Sequence, residues 1–151
     1  MNNPAAITEI RLIERFEEIY RERMQDLDFV NDLLAVEAIG FRDFGEIRLG
    51  TLITPWFINL VIIPATSNDR TLQQGDQVDV HFPSGPINFT AAVDESIGYY
   101  LSAVLFSSVV EIPNQETARE LAEEVMREVF NSARNDRNIS RRQLFTPAGA
   151  T

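Results

Sequence analysis

An α+β fold is predicted for this chain, with one antiparallel sheet between a helix near each end. Two observations predict it. Helical apolar periods occupy residues 4–26 and 114–130, and the stretch between them is a series of short apolar runs broken by turn residues. Consecutive strands joined by short turns pair antiparallel, and helices kept apart from the strand run give α+β rather than alternating βαβ order. The 151 residues fit a single domain, placed at 1–135, with a polar tail at 136–151.

The first helix follows from Ile10, Ile13, Phe16, Tyr20 and Met24, spaced by three and four, with Ile19 and Leu27 widening the stripe. Asn3 suits the cap and Pro4 the first helical position. Glu9, Arg11, Glu14, Arg15, Glu18 and Glu22 are expected on the solvent side. Residues 27–45 hold no sustained period. Asn31-Asp32 reads as a turn, and Phe41–Phe44 as either a strand or a loop.

Strand patterns begin at Glu46. Ile47, Leu49, Thr51 and Ile53 alternate with Glu46, Arg48, Gly50 and Leu52, which predicts a half-buried strand ending at Pro55. Phe57–Ile63 is nearly all apolar and stops at Pro64; it fits an interior strand or an exposed edge that could pair with a partner or a second copy. A polar loop fills Ala65–Asp76. Gln77–Phe82, a turn at Pro83–Pro86, a return strand through Ile87, Phe89, Ala91 and Val93, and a long apolar run from Gly98 to Val110 complete the sheet. The second helix is capped by Asn114 and buries Ala118, Leu121, Ala122, Val125, Met126 and Val129, so a charge at Val125 is expected to undock it. Both helices are expected on one face of the sheet.

Composition excludes several chemistries. There is no cysteine, hence no disulfide, thiolate metal site or thiol nucleophile, and the single histidine, His81, rules out a two-histidine metal site. His81 alternates with Val80 and Phe82 and should face solvent. Neither a Gly-x-Ser-x-Gly elbow nor a phosphate-cradling glycine loop occurs. Asp26, Asp28 and Asp32 lack the glycine and glutamate of a calcium loop and read as an acidic turn. No catalytic, cofactor or metal site is therefore expected, and the chain is not expected to be an enzyme. Acidic residues outnumber basic ones 23 to 13, for a net charge of −10. That balance opposes nucleic acid and anionic lipid and suits a basic partner. No leader and no membrane span is visible, so the cytoplasm is the expected location.

Two segments stand out. Thr54-Pro55-Trp56-Phe57 places the only tryptophan after a proline kink, as either a core residue at a strand corner or an aromatic anchor for a partner. Ser140-Arg141-Arg142-Gln143-Leu144-Phe145 puts paired arginines in an acidic chain, where they could clamp onto the acidic body, meet a partner carboxylate or be solvated. The segment looks like a twin-arginine export motif but lies far from the N-terminus and lacks an apolar core after it.

Met24-x-Asp26-Leu27-x-Phe29, Ile53-Thr54-Pro55-Trp56, Val61-Ile62-Ile63-Pro64, Tyr100-Leu101-Ser102 and Ser140-Arg141-Arg142-x-Leu144 together resemble the HybE/HupJ-type assembly chaperones of [NiFe]-hydrogenases. The resemblance implies a two-layer α+β sandwich similar to the type III secretion chaperones. It implies a cytoplasmic proofreading chaperone that binds an immature hydrogenase small or large subunit before export. The small subunit, with its iron–sulfur clusters and twin-arginine signal, is one candidate client. Thr54, Pro55, Trp56, Tyr100, Arg141 and Arg142 are the candidate partner-binding residues. A homodimer is compatible with this picture. Some relatives carry a fused rubredoxin domain, for which this chain has no cysteines. The alternative is a generic acidic interaction module, of the secretion-chaperone kind, with another client.

Overall fold

The structure is a computed structural model that describes residues 9–64 and 73–132. Helix α1 spans Glu9–Ile19 and runs into a π-helical turn at Tyr20–Met24. Strands β1 (Glu37–Phe44), β2 (Ile47–Ile53), β3 (Ile58–Pro64), β4 (Gln77–Phe82), β5 (Gly85–Asp94) and β6 (Gly98–Phe106) follow, and helix α2 (Gln115–Val129) comes last. All pairings are antiparallel, in the order β1-β2-β3-β6-β5-β4. The class is α+β, as expected. The cap at Asn3, the division at residue 135 and the tail lie outside the described residues.

The long apolar run beginning at Phe57 is an interior strand, since β3 is paired on both sides, by β2 and by β6. It offers no edge to a partner or a second copy.

The placement of the helices corrects the expectation. They do not share a face. Along β3, Ile58, Leu60 and Ile62 pack with the α2 residues Ala118, Ala122, Met126 and Val129. Val61 and Ile63, which point the other way, pack with Leu12 and Phe16 of α1. The helices lie against opposite sides of the sheet. The physical reason is in the sequence: β3 is apolar at both alternations, with Ile58, Leu60 and Ile62 on one and Val61 and Ile63 on the other, and such a strand needs cover on both faces. Paired beside β3, β2 is not half-buried either. Leu49 and Leu52 point in opposite directions and both are fully enclosed.

The first helix also turns a different side inward. Ile10 is 67% exposed, whereas Leu12 is fully buried and Arg15 retains 5% exposure. The inward line is thus Leu12, Arg15, Phe16 and, partly, Ile19. The arginine expected on the solvent side is a core-facing residue.

Strand β1 escaped period-two reading because of a bulge. Its register with β2 shifts between Ile39 and Arg42, where Gly40 has φ 68°. Most L-residues avoid that left-handed region, and a Cβ at Gly40 would also crowd Met126 Cγ at 3.0 Å. Phe41, just after the bulge, lies across Gly50 so closely that a Cβ there would stand 2.0 Å from its ring.

Helix α2 follows the sequence closely. Asn114 Oδ1 accepts from the Thr117 N–H at 2.8 Å, and Ala118, Ala122, Met126 and Val129 are buried. Val125 is only half-buried, on the flank of the helix. A charge there can reach water, so Met126 and Val129 are the positions where it would undock α2.

Candidate functional site

Between β2 and β3 the chain turns through Thr54–Phe57. Thr54 is fully buried, and its side chain builds the turn. Its Oγ1 accepts from the N–H groups of Trp56 and Phe57, at 3.2 and 3.0 Å, and donates to the Phe57 carbonyl at 3.1 Å. Its own N–H donates to that carbonyl at 2.9 Å. A hydroxyl that closes backbone groups two and three residues on is the usual use of threonine in a turn. Pro55 is buried, and Trp56 and Phe57 are half-buried.

Trp56 is held by rings. It stacks on Tyr20, with centroids 6.4 Å apart and planes 6° from parallel, and lies 6.3 Å from Phe16. Phe16 also meets Phe57 and Tyr100 edge-on, at 6.0 and 6.4 Å. Each aromatic pair contributes about 0.5–1.5 kcal/mol beyond area burial. Of the sequence candidates, Thr54, Pro55, Trp56 and Tyr100 therefore converge on one aromatic cluster. Thr54 and Pro55 act as its frame. Arg141 and Arg142 lie outside the described residues.

The π-helical turn supports this corner. It carries Tyr20, whose hydroxyl donates to Asp32 Oδ1 at 2.6 Å. That hydrogen bond, with burial and the nearby Asp32 and Asp26 charges, raises the Tyr20 pKa. π-helical turns occur disproportionately at functional positions. Burial, reinforced by the Asp94 carboxylate, pushes Tyr100 up to about 12 despite Arg15.

Asn31 locks the following loop against the corner. Its N–H donates to the Pro55 carbonyl at 2.7 Å. Its buried amide donates to the carbonyls of Val109 and Ile112, both at 2.9 Å, and its Oδ1 accepts from the Leu33 N–H. On the loop so fixed, Phe29 is 52% and Leu33 67% exposed. Leu27 and, beyond Val109, Val110 are exposed too. Asp26, Asp28 and Asp32 alternate with these apolar residues. A hollow of about 340 Å³ beside them is lined by Glu17, Tyr20, Arg21, Asp32, Leu34 and Pro55, among others. The corner combines apolar side chains with carboxylates on a backbone that is tied down.

On the other side of α1, Arg15 Nε donates to both Asp94 carboxylate oxygens, at 3.0 and 3.1 Å, and Nη1 to Glu18 at 2.7 Å. Burial alone would push the Asp94 pKa up. The Ser96 N–H, the Arg15 guanidinium and the Ile97 N–H outweigh it, and the net shift is downward.

Sequence reading missed Phe29, Leu33, Asn31 and Arg15. The last two are polar residues buried by partners about 80 positions away, and no local pattern announces them. No metal-binding group of histidine and carboxylates occurs among the described residues, and none of their helices is long and apolar enough to cross a membrane.

Comparison with known proteins decides the family. Residues 8–147 match the family described as "[NiFe]-hydrogenase assembly, chaperone, HybE". The chain belongs to this family. Its members are assembly chaperones, not catalytic enzymes. The chain is 39% identical over 141 residues to the hydrogenase expression/formation protein HupT of Azotobacter chroococcum, covering 89% of this chain and 94% of that one. It is 35% identical over 131 residues to HupJ of Bradyrhizobium diazoefficiens, covering 87% and 76%. It is 38% identical over 130 residues to the probable rubredoxin HupJ of Rhodobacter capsulatus, but spans only 47% of that protein against 83% of its own length. The solution structure of HybE from Escherichia coli has the same fold, with a TM-score of 0.66 and 26% identity, over 83% of this chain and 78% of that one.

Proposed function

We propose that this chain holds an immature [NiFe]-hydrogenase subunit, and that the client is the small subunit, bound in the cytoplasm with its twin-arginine signal before export. The observation that carries the reading is the corner at Trp56. Phe29 and Leu33 stand exposed on a loop that Asn31 ties to Pro55, Val109 and Ile112, next to three aspartates. Exposed apolar side chains on a fixed loop suit a partner surface. Net charge of −10 draws a basic segment toward it and repels acidic ones. Trp56 and Tyr100 contribute by holding the corner rigid, and Trp56 by its partly exposed ring. The contact needs no chemistry from the chaperone beyond shape, apolar area and charge.

The test is co-expression of the full chain with its hydrogenase, followed by affinity capture and mass spectrometry of what is bound. The uncleaved small subunit is the expected client. Recovery of the immature large subunit alone would overturn the choice of client, and recovery of neither would overturn the reading.

A further inference from the structure

A second surface lies on the opposite face of the sheet. A groove of about 400 Å³ runs along α2. Leu60, Ile87 and Leu105 form its floor, and Val125 and Val129 one wall. Glu124 and Glu128 stand on that wall, one helical turn apart. Glu124 is paired with Arg127 at 2.6 Å, but α2 as a whole carries five glutamates against two arginines. That excess of carboxylates gives the wall a net negative charge, which attracts a cation. The groove therefore asks for a segment with positive charge followed by apolar bulk.

This chain contains one such segment. Ser140-Arg141-Arg142-Gln143-Leu144-Phe145 offers two guanidinium groups and two large apolar side chains within six residues. It is also close by in the chain. Helix α2 ends at Val129, and the Val129 carbonyl accepts from the N–H of Ser84, itself a groove residue. Seven residues separate Ser132 from Ser140, enough to span roughly 23–25 Å when extended. Reach is not limiting.

We propose that Ser140–Phe145 occupies this groove in the same molecule, with Arg141 and Arg142 against Glu124 and Glu128 and with Leu144 and Phe145 over Leu60, Ile87 and Leu105. Any external segment of the same chemistry must displace it to bind there. The proposal stands independently of the client surface at Trp56.

The chain has no cysteine, so Thr146→Cys gives a single attachment point for a spin label in the full chain. Docking predicts broadened methyl resonances for Ile87, Leu105 and Val125, with Leu52 and Val61 on the other face unaffected. Arg141→Glu with Arg142→Glu should lower the docked-to-free ratio about tenfold. Adding Glu124→Arg and Glu128→Arg to that double variant should restore it. Absence of broadening in the full chain, or indifference to charge reversal, would overturn the proposal. So would broadening that passes only between molecules in a mixture of spin-labelled and isotope-labelled chains, which would make a second copy the occupant.

Discussion

The two helices bind the same sheet by different means. Helix α2 docks through an uninterrupted line of Ala118, Ala122, Met126 and Val129 behind an Asn114 cap. Helix α1 docks through Leu12 and Phe16 with Arg15 between them, and the arginine is accommodated only because Asp94 and Glu18 meet it. Its last turn widens to a π-helix, and that irregular end carries Tyr20 onto Trp56. Regular packing holds the fold on the α2 side. On the α1 side, polar ties and rings hold a corner that presents apolar side chains to solvent.

If this contrast is right, the largest loss of stability comes from a charge in the α2 stripe. Met126→Asp should cost about 4 kcal/mol in urea unfolding, since it buries an unpaired carboxylate. Ile10→Asp on α1 should change stability by no more than about 0.5 kcal/mol, because Ile10 faces water. A comparable loss at Ile10 would refute the inward line described for α1.

Next in size is Asn31→Ala. It strips the donors from the Val109 and Ile112 carbonyls and should cost about 2–3 kcal/mol by the same measurement. Gly50→Ala should cost about 1–3 kcal/mol, because the new methyl displaces the Phe41 ring.

The Arg15 tie has a pH signature that α2 docking lacks. Asp94 titrates below its ordinary value of 3.8 in the folded chain. Its contribution is therefore present above that pH and is lost as pH falls through the lower folded value. Thermal unfolding between pH 5 and pH 2 should show a steeper loss in the unaltered chain than in Asp94→Asn. Equal slopes would remove Asp94 from the account.

The fold was legible wherever burial follows a local period. That holds for α2, its cap, the β4–β5 hairpin and the extent of β2. It failed at β1, where the Gly40 bulge breaks the alternation, and at α1, where an arginine occupies an inward position. It also failed in assigning both helices to one face, although the doubly apolar β3 already implied two covered faces. The Thr54–Trp56 part of the candidate site was legible because a proline and the only tryptophan interrupt two strands. Phe29 and Leu33 carry no local signal of exposure, and the loop that bears them is fixed by Asn31 bonding to residues 109 and 112.

The central claim is that the Trp56 corner is the client surface. The direct measurement is the affinity of the purified full chain for the uncleaved hydrogenase small subunit, compared with that of Phe29→Ser/Leu33→Ser. Both side chains are exposed, so unfolding stability should stay within about 0.5 kcal/mol of the unaltered chain. The account predicts at least a tenfold weaker complex, from the loss of two apolar contacts worth about 1 kcal/mol or more each. Unchanged affinity in a stably folded double variant would contradict it.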